Sequence, residues 1–268
     1  MAPPAAAGGT RASDLLAAVD LGLEGRVALV TGASQGIGRG IAAGLVAEGT
    51  RVAVASRSRS RIEQTAQEIG AQPFVFDTSR PEAAGELVSA VEAALGPIEV
   101  LVPNTGGPPA GEDALGFSGD QWEQAYRQLV LGPMALIERV VPGMRERRFG
   151  RIVNVSSVAV REPIPTLMLS NSHRAAMLAA FKTVARQIAG DGVTLNTVLP
   201  GLIATERAFA NNGGSREAAQ AVAAESVPAG RLGEVEELAA MVVFLSSAPA
   251  SYVTGTAVRV DGGRTQSV

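Results

Sequence analysis

Thr31-Gly32-Ala33-Ser34-Gln35-Gly36-Ile37-Gly38 follows the apolar run Val27–Val30 and opens into Arg39-Gly40-Ile41-Ala42-Ala43-Gly44-Leu45. The order is strand, glycine turn, helix. Glycines at such a junction let the backbone turn tightly and let a pyrophosphate approach it, and the N–H groups that begin the helix then face the anion. The spacing G-x-x-x-G-x-G is a variant of the dinucleotide fingerprint, and it carries weight only because strand and helix flank it. The alternative is a plain glycine-rich turn, in a chain that holds 31 glycines.

Composition narrows the field. The 268 residues are 46% hydrophobic but only 4% aromatic, so the core is expected from Ala, Val, Leu and Ile. The net charge is −3, and without a basic stripe nucleic acid is not expected as a partner. There is no cysteine and His173 is the single histidine, so disulfides, thiolate zinc sites, thiol nucleophiles and histidine-rich metal sites are excluded, and no metal is expected. No apolar run reaches the ~18 residues of a membrane span. Residues 1–22 are rich in Ala, Pro and Gly, are interrupted by Asp14 and Asp20, and read as a flexible leader with a loose turn at Asp14–Val19 rather than a signal peptide. The expected location is the cytoplasm.

From residue 23 to residue 268 the chain reads as one domain. Strands are predicted at Val27–Val30, Arg51–Ala55, Pro73–Phe76, Ile98–Val102, Arg151–Val155, Val193–Val198 and Ala257–Val260. Helical patterns lie between them at Gly36–Ala47, Arg59–Ile69, Pro81–Leu95, Gly119–Arg147, Leu169–Ala189 and Val235–Leu245. Regular alternation of this kind gives right-handed crossovers and a parallel sheet covered on both faces. The rhythm breaks at 202–227, a helix-leaning insertion after the sixth strand. Ligands of open α/β sheets bind beyond the carboxyl ends of the strands, so this insertion is expected to be a substrate lid with Gly213-Gly214 as its flexible point.

Other segments then fall into a recognisable order: Asp77-Thr78, Asn104-Thr105-Gly106-Gly107, Gly150-Arg-Ile-Val-Asn-Val-Ser-Ser157, Asn196-Thr-Val-Leu-Pro-Gly201, Gly230-Arg-Leu-Gly233, Ser251-Tyr-Val-Thr-Gly255 and Val260-Asp-Gly-Gly263. Over Leu23 to Gly263 the chain resembles the short-chain dehydrogenase/reductase family. The resemblance implies a single-domain Rossmann fold with a doubly wound, seven-stranded parallel sheet, assembled as a homotetramer or homodimer and acting on a small molecule. It also assigns the cofactor side. Gly32, Ser34, Gln35, Gly36, Ile37 and Gly38 fall in the phosphate loop, Asp77 and Thr78 on the adenine, and Asn104, Thr105 and Gly106 beneath it. Pro200, Gly201, Ile203 and Thr205 fall on the nicotinamide and phosphates. The second strand ends Ala55-Ser56-Arg57 with no acidic residue for the ribose hydroxyls. The Arg57 fork can face a 2′-phosphate, which favours NADP(H) over NAD(H); otherwise Arg57 is a solvated turn residue.

The catalytic side departs from the family pattern of a Tyr, a Lys four residues later, an upstream Ser and a relay Asn. Ser157 matches the Ser. Ser170 stands at the Tyr position, Arg174 at the Lys position and, counting from Trp122, Leu129 at the Asn position. Tyr126 and Tyr252 lie in other elements. Ser170 and Arg174, at i and i+4, share a helix face. A serine hydroxyl donates a hydrogen bond but does not readily release its proton at neutral pH, and Arg174 stays charged. Its fork can hold ribose hydroxyls or a substrate carboxylate. Losing a general acid costs about 10²–10⁴ in rate, whereas positioning can supply more. Hydride transfer can therefore persist with Ser157, Ser170 and Arg174 lining the site. His173 sits about 100° round the helix from Arg174 and is expected to be a packing residue. Arg161 and Glu162 are candidate substrate contacts, otherwise solvated charges, and Glu206, at the start of the lid, is a candidate acid/base. The expected activity is an atypical NADP(H)-binding oxidoreductase of a small carbonyl or alcohol. The alternatives are a non-redox isomerase, cyclase or lyase on the same fold, or an inactive dinucleotide-binding protein.

Overall fold

The computed structural model describes residues 19–267. The helical turn expected at Asp14–Val19 falls almost wholly outside them. At the start of the described chain, Leu21 packs against the core and its carbonyl accepts the Ala248 N–H at 2.8 Å, with Leu23 fully buried.

Seven parallel strands form one sheet in the order β3-β2-β1-β4-β5-β6-β7. They are β1 (Val27–Thr31), β2 (Arg51–Ser56), β3 (Gln72–Val75), β4 (Val100–Val102), β5 (Gly150–Val155), β6 (Val193–Pro200) and β7 (Ala257–Val260). Every residue of β1, β5 and β6 is buried, as expected for strands covered on both faces. Strand order reverses between β1 and β4, and the crevice at that switch point is where such sheets bind ligands.

The helices divide between the two faces. On one side lie α1 (Gly36–Ala47), α2 (Arg59–Ile69) and α9 (Val235–Ser246), packed over Ala28, Val30, Val54 and Val102. Gly44 lets α1 approach α9, since a Cβ there would sit 3.1 Å from Val243. On the other side lie α3 (Ala84–Leu95), α5 (Gly132–Glu146) and α6 (Met168–Ile188), packed over Leu29, Leu101, Ile152 and Leu195. The segment predicted as one helix over Gly119–Arg147 is α4 (Gly119–Tyr126), a π-helical turn (Arg127–Leu131) and then α5. The insertion holds α7 (Glu206–Asn211) and α8 (Arg216–Ser226), joined through Gly213 and Gly214, both at positive φ. A small apolar cluster of Ala204, Ala219, Ala223, Val227 and Leu232 anchors it.

At the amino ends of β1 and β5, opposite the crevice, two arginines stack on one phenylalanine. Phe149 lies between Arg26, 3.6 Å from the ring centroid, and Arg151, at 4.3 Å. Buried Arg151 donates to the carbonyls of Ser247, Gly150 and Gly192. Burial, then the charge of Arg26, lowers its pKa.

Candidate functional site

The carboxyl ends of β1, β4, β5 and β6 and the insertion after β6 surround a cavity of about 710 Å³. Its floor is the glycine loop. Gly32 and Gly36 adopt φ of +59° and +56°, a region that side chains make costly. A Cβ on Gly38 would lie 2.6 Å from the Asn104 amide nitrogen. The loop is fixed from β4: Asn104 Nδ2 donates to the carbonyls of Thr31 at 3.3 Å and Gly32 at 3.0 Å, while Thr31 Oγ1 donates to the Asn104 carbonyl at 3.0 Å. Gln35 precedes α1 without capping it, and its side chain instead accepts from Arg61. The first N–H groups of α1 therefore lack a side-chain cap and suit an anion. Bare backbone, positive φ and an uncapped helix fit a pyrophosphate.

Of the residues assigned to the cofactor, Gly32, Gln35, Gly36, Ile37 and Gly38 line this cavity. So do Asn104, Thr105 and Gly106 from β4, and Pro200, Gly201, Ile203 and Thr205 after β6. Four of the assigned residues do not. The Ser34 carbonyl accepts from Thr65 at 3.1 Å. The Thr78 carbonyl abuts Gly132 at the start of α5. Arg57 and Asp77 border a second, smaller hollow of about 360 Å³ that Arg80 and Glu86 also line. The Asp77 carboxylate there caps its own turn, accepting the Ser79 N–H and hydroxyl.

Ser157, Ser170 and Arg174 all reach the main cavity. Ser157, just past β5, accepts the Ala159 N–H at 3.1 Å and so caps the short turn Val158–Val160. Its own O–H remains available to donate. Ser170 and Arg174 share the cavity face of α6, and Arg174 Nε donates to Ser170 Oγ at 3.1 Å while its NH1 donates to the Val155 carbonyl at 3.1 Å. Burial, and then the charge of Arg207, lowers the Arg174 pKa to about 10. It stays cationic at neutral pH, and it keeps part of its surface on the cavity.

Leu129 is buried in the π-helical turn. Neighbouring Gln128 donates to the Gly106 carbonyl at 3.0 Å. His173 is buried away from the cavity: its Nδ1 lies 2.7 Å from the Leu169 carbonyl, and its ring packs against Trp122 and Tyr126 at 5.3 and 6.2 Å between centroids. Tyr252 is fully exposed. Two expectations need correction. Arg161 and Glu162 do not border the cavity; Glu162 instead accepts the backbone N–H groups of Gln266 at 2.6 Å and Ser267 at 2.7 Å, clasping the C-terminal segment. Glu206 does line the cavity.

Arg207, on α7, is a site residue that the sequence reading passed over. It reaches across the mouth of the cavity to the carbonyls of Gly107 at 3.3 Å and Pro108 at 3.4 Å. Desolvation of its guanidinium end lowers its pKa. In sequence it is one arginine in an Ala-rich helix, and only the fold brings it over the β4 loop.

A cradle of this construction, at the switch point of this sheet, defines a dinucleotide-binding α/β protein, and comparison with known proteins agrees. The family profile described as Enoyl-(Acyl carrier protein) reductase matches residues 32–265. The chain belongs to the short-chain dehydrogenase/reductase family. It is 36% identical over 246 residues to acetoacetyl-CoA reductase of Shinella zoogloeoides, covering 89% of this chain and 98% of that one. It is 34% identical to 3-oxoacyl-(acyl-carrier-protein) reductase of Vibrio cholerae, over 91% and 98% of the two chains. Among solved structures it is similar to L-sorbose reductase from Gluconobacter frateurii in complex with NADPH and L-sorbose, with a TM-score of 0.85, 31% identity and coverage of 93% and 100%. It also resembles YwfH, an NADPH-dependent reductase of bacilysin biosynthesis, with a TM-score of 0.84, 30% identity and coverage of 91% and 99%.

Proposed function

We propose that this protein is an NADP(H)-dependent oxidoreductase of a small carbonyl or alcohol substrate, working without the Tyr–Lys pair of its family. The observation that carries the reading is the pairing of Ser170 with Arg174 in the cavity that also holds the glycine cradle. NADP(H) is supported by the NADPH-bound and NADPH-dependent neighbours and by Arg57 at the end of β2, where no carboxylate stands.

The dinucleotide would rest on Gly32, Gly36 and Gly38, against Asn104–Gly106, and beneath Pro200–Thr205, with Arg57 toward the 2′-phosphate. When bound in its reduced form it supplies a hydride to the carbonyl carbon. The chain's own residues act on the oxygen. Ser170 accepts from a guanidinium, so its hydroxyl hydrogen is polarised and free to donate into the cavity. Ser157 is arranged in the same way by the Ala159 N–H. Two hydroxyl donors then stabilise the negative charge that gathers on oxygen as the C=O π pair moves onto it. Neither hydroxyl gives up its proton near neutral pH, so water delivers the proton that completes the alcohol. The reverse reaction returns hydride and proton along the same route.

Titration of NADPH and NADH by fluorescence tests the first half of the reading; no binding of either overturns it. With NADPH bound, loss of absorbance with ketones, and its abolition in Ser157→Ala, tests the second. A non-redox reading rests on Glu206, which brings a carboxylate into the same cavity; substrate consumed without an absorbance change selects it. Self-association as a dimer or tetramer follows from the family, and light scattering on the purified chain reads it directly.

A further inference from the structure

Arg174 and Arg207 line one cavity, one from α6 and the other from the lid. The ion pairs among the described residues include neither of them. Arg174 uses Nε and one terminal nitrogen on Ser170 and Val155, which leaves its second terminal nitrogen without an acceptor among the described residues. The bonds from Arg207 to Gly107 and Pro108 are longer than good N–H···O bonds. Glu112 and Glu206 also line the cavity, yet neither is ion-paired with either guanidinium among the described residues, while Arg264 adds a third cation to the wall.

A chain of net charge −3 has thus gathered a cationic wall around its cavity. Two like charges on one cavity wall, one of them partly buried, repel unless an anion lies between them. Planar forks match a carboxylate, whose two oxygens accept paired N–H donors. A ketone carrying only alkyl groups would leave both cations uncompensated.

We propose that the substrate is an oxo acid whose carboxylate is held between Arg174 and Arg207, with its carbonyl oxygen turned to Ser157 and Ser170. This names the substrate class of the reductase site and rests on that reading. Arg207 acquires a second role, because an anion bound to it ties the lid to the floor of the site.

The test uses full-length protein saturated with NADP⁺, so that no turnover occurs. Calorimetric titration compares acetoacetate with methyl acetoacetate, which keeps both carbonyls and lacks the charge. Acetoacetate is expected to bind at least about tenfold more tightly, since a charge-assisted bidentate pair is among the stronger polar contacts. Exposed Arg207→Gln is expected to reduce the preference to under about threefold and leave NADP⁺ affinity within about threefold; Arg174→Lys is expected to reduce it partially. Equal binding of acid and ester overturns the proposal, as does failure to bind either, or a preference that survives in both variants. If Arg207→Gln weakens NADP⁺ as strongly as acetoacetate, the arginines hold cofactor phosphates and the proposal also falls. Should NADP⁺ itself not bind, the reductase reading fails separately, and the same titrations on the free protein still decide the anion site.

Discussion

Arg174 Nε donates to Ser170 Oγ at 3.1 Å, one turn apart on α6. The bond fixes which way the serine can act. Its oxygen is occupied by a cation, so its hydrogen is what the cavity meets. Ser170→Ala should therefore lower kcat/KM by about 10²-fold, the typical loss on removing one oxyanion donor, with NADPH affinity unchanged by fluorescence titration. Equal losses in both would place Ser170 on the cofactor instead.

The double substitution Ser170→Tyr with Arg174→Lys restores an acid and its ammonium partner. Carbonyl reduction, followed by NADPH absorbance, should rise by up to about 10²–10⁴-fold. No gain would show that the cavity has been reshaped for chemistry other than hydride transfer.

Arg174 also carries a stability consequence. Its folded-state pKa of about 10 lies below the ordinary value of an arginine, so the folded state holds this proton more weakly than the unfolded one. The charged form therefore costs stability at neutral pH, and the cost fades as pH rises through 10. Arg174→Met should accordingly raise the Tm of the ligand-free protein by about 2–4 °C, corresponding to about 1 kcal/mol in a domain of this size. The difference between variant and parent should shrink above pH 10. A lower Tm across the whole range would mean that the bonds to Ser170 and Val155 outweigh the burial of charge.

Arg57 governs the choice of dinucleotide in this reading. Arg57→Glu should weaken NADPH by more than about tenfold through like-charge repulsion while sparing or improving NADH. Since Arg57 is exposed, the Tm should move little. If both dinucleotides keep their affinities, Arg57 is a solvated turn residue.

Gly38→Ala places a methyl against the Gly32 carbonyl and the Asn104 amide. Both NADPH affinity and Tm should fall, the Tm by several degrees, since a few kcal/mol is typical of overpacking. Binding that survives with only the Tm lowered would separate the loop's structural duty from its proposed one.

The fold was largely legible before the structure because its signal is periodic. Seven apolar runs and the helical patterns between them suffice to define a doubly wound sheet, and boundaries moved by only a few residues, as at β3, which starts at Gln72 rather than Pro73. The π-helical turn at Arg127–Leu131 was invisible: one extra residue in a turn barely disturbs an apolar stripe, and Pro133 and Pro142 did not mark it. The site was legible where backbone geometry demands glycine. It was illegible where function depends on a long side chain reaching across the fold. Nothing in the sequence marks Arg207, which only the placement of α7 over Gly107 brings to the site, and Glu162 looked like a substrate contact until the C-terminal segment came to meet it.

The bonds from Asn104 to Thr31 and Gly32 have a thermodynamic meaning. They tie the glycine loop to the sheet with the chain's own side chain, so little conformational freedom remains to be lost there on binding, which favours affinity without further contacts. The opposite wall is built otherwise, from a two-helix insertion joined through Gly213 and Gly214 and reaching the segment after β4 through the two long bonds of Arg207. One half of the crevice is backbone pinned to the sheet, and the other is a helical cover spanned by an arginine. A substitution in the helical cover can therefore reshape the cavity while the glycine loop keeps its ties to the sheet.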